Sequence, residues 1–107
     1  MKTFKNNDEL LALVKDREID FQGADIHCDF DIKLPRVSMV NVGYIKALNI
    51  KAHNIIAGED IKAYNIKATG NIEADNITAT GNITALNIKV AGYIKALNIK
   101  VQSININ

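Results

Sequence analysis

The chain has 107 residues, nearly half of them hydrophobic, with 13 Lys and Arg against 12 Asp and Glu for a net charge of +1. That length suits a single domain with its own core and leaves no room for a second lobe with a cleft between. The near balance of charge argues against a nucleic-acid binder driven by a basic surface and equally against an acidic mimic of DNA.

The first stretch, MKTFKNNDELLALVKDRE, holds only a short apolar run broken by charge, so it reads as neither a signal peptide nor a membrane span. Residues 7–16 read as a short helix. Asn7 or Asp8 can cap it, and Leu10, Leu11, Leu13 and Val14 form one apolar stripe. A coil of stacked strands exposes its core at its first turn, so residues 1–18 are expected to lie over that end as a capping helix.

Residues 19–42 turn strand-like but irregular and are expected to form a first, atypical coil, with Pro35 at a corner. Here Ile26, Cys28, Phe30 and Ile32 alternate with His27, Asp29, Asp31 and Lys33. With Asp25, the outward His27, Asp29 and Asp31 are the best place in the chain for a divalent ion. A lone strand supplies no enclosing shell, however, and the preferred reading is a solvated acidic face without a metal. Cys28, the only cysteine, points inward as a small core residue, has no partner for an internal disulfide and fits a reducing, cytoplasmic location.

Residues 43–107 are a tandem repeat. Ile recurs at 45, 50, 55, 61, 66, 72, 77, 83, 88, 94, 99 and 104, at spacings of five and six, and two places later stands a small apolar residue, Ala in most units. Alternation in a strand sends Ile and Ala inward and the residue between them outward, and that middle residue is usually Lys, Thr or Glu. Asn or Asp usually precedes the Ile, and Gly58, Gly70, Gly81 and Gly92 fall in the six-residue spacings. Both residue types suggest left-handed backbone at corners. Ile, Asn and Gly together oppose a helix. The expected fold is all-β, a β-solenoid of Ile-x-Ala strands.

From Glu59 the period is 11 residues: EDIKAYNIKAT, GNIEADNITAT, GNITALNIKVA, GYIKALNIKVQ. Two units to a coil give four sides, keep the long corners in line and stack Ile61 on Ile83 and Ile72 on Ile94. Four sides is the favoured count and three the alternative, in which the long corner wanders around the axis. In a four-sided coil Lys46, Lys67 and Lys89 share a face.

The runs ALNIKA, AYNIKA, EADNITA and ALNIKV resemble pentapeptide-repeat proteins, although here the small residue follows the central one by two places instead of preceding it. That resemblance implies a four-sided right-handed coil. The segment GNITALNIKVAGYIKALNIKV is similar to bactofilins, which implies a three-sided solenoid that polymerises. In texture the chain also resembles small β-solenoid repeat proteins of bacteria and their phages.

Nothing in the repeat suggests catalysis or a cofactor. His53 stands at an outward corner with no carboxylate or nucleophile beside it. Function is sought instead on apolar corner residues that point outward, Tyr44, Leu48, Tyr64, Leu86, Tyr93 and Leu97, as a protein-contact surface. The C-terminal IKVQSININ ends in strand alternation, so Ile99, Val101, Ile104 and Ile106 form a candidate self-association edge, expected to mediate a homodimer. The expected activity is non-enzymatic protein binding, as by a phage or mobile-element inhibitor that occludes a bacterial defence complex, for example an anti-CRISPR. The alternative is a self-associating structural solenoid. Nucleic acid and membrane are not expected partners.

Overall fold

The computed structural model describes residues 2–106 as six coils, each walking around three walls. The first coil comprises β1 (Lys2–Thr3), α1 (Asn7–Leu11) and β2 (Glu18–Asp20). The second has β3 (Ile26–His27), β4 (Ile32–Lys33) and β5 (Ser38–Val42), and the third β6 (Ile45–Lys46), β7 (Asn49–Ala52) and β8 (Ile55–Ala57). The fourth has β9 (Ile61–Ala63), β10 (Asn65–Ala68) and β11 (Asn71–Ala74). In the fifth, β12 (Ile77–Ala79) is followed by β13 (Asn82–Val90), and in the sixth β14 (Ile94–Lys95) by β15 (Asn98–Ile106). Strands β13 and β15 each run through a corner and serve two walls.

All pairings between coils are parallel. Wall one is the six-stranded sheet β1-β3-β6-β9-β12-β14. Walls two and three are fused into one nine-stranded sheet because β13 belongs to both. The register stacks Ile45, Ile61, Ile77 and Ile94 on wall one, Ile50, Ile66, Ile83 and Ile99 on wall two, and Ile55, Ile72, Ile88 and Ile104 on wall three.

The favoured four-sided coil is therefore not the one that forms. Ile61 lies under Ile77, not Ile83, and Ile72 under Ile88, not Ile94. The four-sided coil implied by the resemblance to pentapeptide-repeat proteins falls with it. Packing supplies the reason. Each wall sends one Ile and one Ala inward, and three such pairs close over the axis so completely that Ile45, Ile55, Ile61, Ile72, Ile77 and Ile83 have no exposed surface. A fourth wall would set the same small side chains around a wider axis and leave a void, which costs about 24 cal/mol per Å³.

Three walls make the long corner wander, and the chain absorbs this with Asn. Where a six-residue corner lies over a five-residue one, the Asn below turns its Oδ1 to accept the backbone N–H of the residue after the extra one. Asn54 thus takes the N–H of Asn71 at 2.8 Å, Asn65 that of Asn82 at 2.7 Å and Asn76 that of Tyr93 at 2.9 Å. At other corners the amides stack directly, as from Asn65 Nδ2 to Asn49 Oδ1 (3.0 Å) and Asn87 Nδ2 to Asn71 Oδ1 (2.8 Å). A side chain with both donor and acceptor serves either corner.

The left-handed reading of these corners is corrected by the same geometry. Among the described residues no repeat Asn and none of Gly58, Gly70, Gly81 and Gly92 has positive φ. Gly70, Gly81 and Gly92 are small because the Asn oxygen of the coil below occupies the space a Cβ would need: an added Cβ would stand 2.2, 2.2 and 1.9 Å from it. Left-handed residues occur in the irregular coils instead. Asp16 and Arg17 (φ 54° and 61°) form the two-residue turn between Lys15 and Glu18, and Arg36 (φ 66°) follows Pro35 at the corner expected there.

The N-terminal cap is smaller than residues 7–16. Helix α1 covers Asn7–Leu11, and its cap is Asn6, whose side chain accepts from the Glu9 N–H. Leu10 is fully buried and Val14 packs against the core, but Leu11 and Leu13 are exposed, so the expected single stripe is split. The helix stands where wall two would begin. Asn7 completes the closure: its Oδ1 accepts from the Lys33 N–H (2.8 Å) and its Nδ2 donates to the Lys33 carbonyl (2.9 Å). A side-chain amide thus imitates the peptide group of a neighbouring strand and blunts the edge of β4.

Candidate interaction surfaces

The six apolar corner residues do not form one surface, because each corner type becomes a separate edge of the prism. Leu48, Tyr64 and Leu97 share the edge between walls one and two. There the backbone climbs from the Tyr64 N–H to the Leu48 carbonyl, from Gly81 to Tyr64 and from Leu97 to Gly81, at 2.6, 2.7 and 2.9 Å. Leu86 stands alone on the edge between walls two and three, stacked through Gly70 on His53. Tyr44 and Tyr93 occupy the edge between walls three and one, at the place Asn takes in other coils, with Asp60 and Asn76 between them. Tyr44 is half-buried and the other five are exposed. The three-sided register separates what the linear pattern groups, and only Leu48, Tyr64 and Leu97 line up as a ridge.

The candidate self-association edge lies together, on the last coil. Ile83 and Ile88 are 0% and 1% exposed, whereas Ile99 and Ile104, stacked directly on them, are 40% and 44% exposed and Ile106 is 58% exposed. Val101 is half-buried against the core. Among the described residues β15 pairs with β13 along one side, and its other side has no strand partner.

The Asp25, His27, Asp29, Asp31 cluster is divided by the corner between β3 and β4. Asp25 accepts from the Tyr44 N–H and Asp31 from Asn49 Nδ2, each at 2.8–2.9 Å on a different edge, while His27 and Asp29 approach within 3.5 Å. Among the described residues no group of three or more His, Cys, Asp or Glu converges on a point where a metal ion could be held. His53 Nδ1 lies 2.8 Å from Thr69 Oγ1 in the next coil. None of the described residues belongs to a helix long and apolar enough to cross a membrane.

Cys28 takes the inward place that Ala holds in later coils and is 2% exposed. Burial, and then the charge of Asp29, raise its thiol from an ordinary 9.0 to about 11. Its thiolate fraction at pH 8 is thus lower than that of a free thiol by about 100-fold. A folded pKa above the unfolded one contributes stability at neutral pH that is lost as pH rises through the folded value. Iodoacetamide is expected to label the native protein at pH 8 at a small fraction of the rate seen in guanidinium; equal rates would show that Cys28 is not in the core.

The feature most easily missed in the linear sequence is the arrangement of lysines. Lys46 shares a face with Lys62, and Lys67 with Lys51, while Lys89 stands on wall three beside Glu73. The grouping of Lys46, Lys67 and Lys89 is overturned by the three-walled register. The spacings of 16 and 17 residues between like positions carry the signal that would have revealed it. Comparison with protein-family models, with curated proteins and with solved structures finds no match for this chain, which stands as a β-solenoid repeat protein of about six turns.

Proposed function

We propose that this chain is a non-catalytic binding solenoid, a rigid prism that pairs through its C-terminal coil and offers an apolar edge to a protein partner. The observation that carries the reading is the contrast between the two ends. The N-terminal end is shut by Leu10 and the Asn7 amide, whereas at the C-terminal end Ile99, Ile104 and Ile106 leave the core column uncovered. Among the described coils the uncovered column lies at one end, which favours a closed pair over a fibre, because a fibre needs two complementary ends. The self-associating structural reading, implied by the similarity to bactofilins, is the weaker for that reason.

The narrower form, a phage or mobile-element inhibitor that occludes a bacterial defence complex such as a CRISPR effector, is the most specific instance of this reading. Small size, rigid walls and an apolar ridge support it. The reducing cytoplasm suits its single buried thiol.

Sedimentation velocity is the test of pairing. The wild type is expected at twice the 11.8 kDa of one chain, and Ile104→Lys with Ile106→Lys at a single mass with an unchanged circular dichroism spectrum. A wild-type monomer at several hundred micromolar, or filaments by electron microscopy, would sink it. For the partner, affinity capture from bacterial lysate should retain a protein that the triple variant Leu48→Ser, Tyr64→Ser, Leu97→Ser releases. Equal capture by both would remove the ridge from the reading.

A further inference from the structure

The three-walled register sorts charge in a way that the net value conceals. Outward on wall one stand His27, Lys46, Lys62, Thr78 and Lys95, each in register with the next. Outward on wall two stand Lys33, Lys51, Lys67, Thr84 and Lys100, again in register. No carboxylate stands within either column, and the edge between the two walls carries carboxylates in the second coil alone, Asp29 beside His27 and Asp31 beside Asn49. From residue 43 onward every acid falls elsewhere: Glu73 on wall three, and Glu59, Asp60 and Asp75 on the edge between walls three and one. From residue 43 onward the lysines of walls one and two are thus set apart from the acids, which the net charge of +1 does not show.

The lysine columns are an electrostatic liability to the isolated chain. Neighbouring strands lie about 4.8 Å apart, and like charges directly opposite one another destabilise a sheet. Among the described residues the sole ion pair within 4 Å is His27 with Asp29, so none of these seven ammonium groups has a carboxylate partner. Between the two columns runs the edge that carries Leu48, Tyr64 and Leu97. From the third coil onward the result is a wedge with Leu48, Tyr64 and Leu97 on its crest, Gly81 between the last two, and lysines on both flanks; Asp29 and Asp31 stand at its foot in the second coil.

We infer that this wedge docks into a groove of an acidic protein, the crest entering an apolar floor and the lysines of walls one and two meeting carboxylates on the two rims. The inference rests on the protein-binding reading above and names the chemistry of the partner. An apolar centre with a charged margin is the anatomy of a protein interface. A nucleic-acid duplex offers mostly phosphate and sugar, against which Leu48 and Leu97 have no complement. Charge on both flanks speeds encounter and fixes register, while the crest supplies the apolar burial that holds the complex.

Fluorescence anisotropy with three labelled probes tests this: a random Glu/Tyr copolymer, poly-glutamate of equal length and a 20-base-pair duplex of random sequence. The copolymer is expected to bind tightest, by about 10-fold over poly-glutamate at 0.15 M salt, because it alone offers both carboxylates and apolar rings. Lys51→Glu with Lys62→Glu, one from each flank, should weaken copolymer binding by about 10-fold or more, and Lys89→Glu on wall three should not. The Leu48, Tyr64, Leu97 triple serine variant should bring the copolymer down to the level of poly-glutamate. Tighter binding of the duplex would reassign the walls to nucleic acid. Absence of binding to any probe, or an equal loss with Lys89→Glu, would overturn the inference. If the probes fail while the triple serine variant still releases a protein captured from lysate, the protein-binding reading stands and the acidic groove falls.

Discussion

Ile72→Asp and Ile83→Asp are each expected to leave the chain without a folded state. Ile72 lies between Ile55 and Ile88 on wall three, and Ile83 between Ile66 and Ile99 on wall two. Both are fully buried, and among the described residues no buried polar side chain could receive a carboxylate. Loss of the Ile side chain alone costs about 2–5 kcal/mol, and an unpaired buried charge adds several more. Together these match the ~5–15 kcal/mol by which a whole domain of this kind is held. Position adds to the effect. Ile72 belongs to the fourth of six coils, so its failure leaves short stacks on either side, and each coil of a solenoid relies on its neighbours for its core. Circular dichroism should show lost strand signal and no cooperative melting transition. Ile72→Val, which keeps the shape, should cost only about 0.5–1.5 kcal/mol. A cooperative melt with an unchanged spectrum in the Asp variants would refute the stacked column itself.

Gly81→Ala and Gly58→Ala are expected to move stability in opposite directions. A Cβ at Gly81 would come within 2.2 Å of Asn65 Oδ1, the oxygen that accepts the Asn82 N–H, while Asn65 Nδ2 is held by Asn49. The amide cannot swing away without giving up these bonds, and a loss of about 1–3 kcal/mol follows. At Gly58 the nearest atom is the Val42 carbonyl oxygen at 3.7 Å and φ is not positive, so Ala fits. There it should stabilise by about 0.4–1 kcal/mol through the less flexible unfolded chain. Urea unfolding of both variants and of Asn65→Ala checks the mechanism. In the Asn65→Ala background Gly81→Ala should cost less, with a coupling of about 1 kcal/mol or more. Equal losses at the two glycines would return the corners to an explanation by backbone conformation.

The glycine pair shows where the linear pattern carries information and where it does not. Alternation within a strand is a local property, so Ile-x-Ala reads directly as inward, outward, inward, and the columns of buried Ile and Ala confirm it. The number of walls is not local. A period of 11 is two sides of any coil, and the choice among coils turns on how three or four Ile and Ala pairs fill the axis, which spacing does not measure. The same holds for Asn and Gly. Their recurrence at corners is plain in the sequence, but residue preference alone suggests a left-handed turn, and only the stacking of one coil on another reveals a side-chain oxygen in the space beside Gly81. Leu11 and Leu13 are apolar without being buried because the helix stops at Leu11, short of the length needed to aim a full stripe at the core. That Ile99, Val101, Ile104 and Ile106 lie together was legible because they belong to a single run of strand. The ridge of Leu48, Tyr64 and Leu97 could be separated from Tyr44, Leu86 and Tyr93 only once the walls were counted.

The wandering corner sets a rule for how such a molecule can lengthen. An 11-residue unit covers two of three walls, so duplicating one unit would rotate everything beyond it onto a different wall. A lysine column would then continue as a column of another kind. Ile61 and Ile94 lie on the same wall 33 residues apart, as do Ile50 and Ile83. Three units, equal to two full coils, are therefore the smallest insertion that restores both the walls and the placement of the extra residues. Copying in threes would preserve the charged flanks, whereas copying singly would scramble them while leaving the core intact, so the period of the surface is three times the period of the fold.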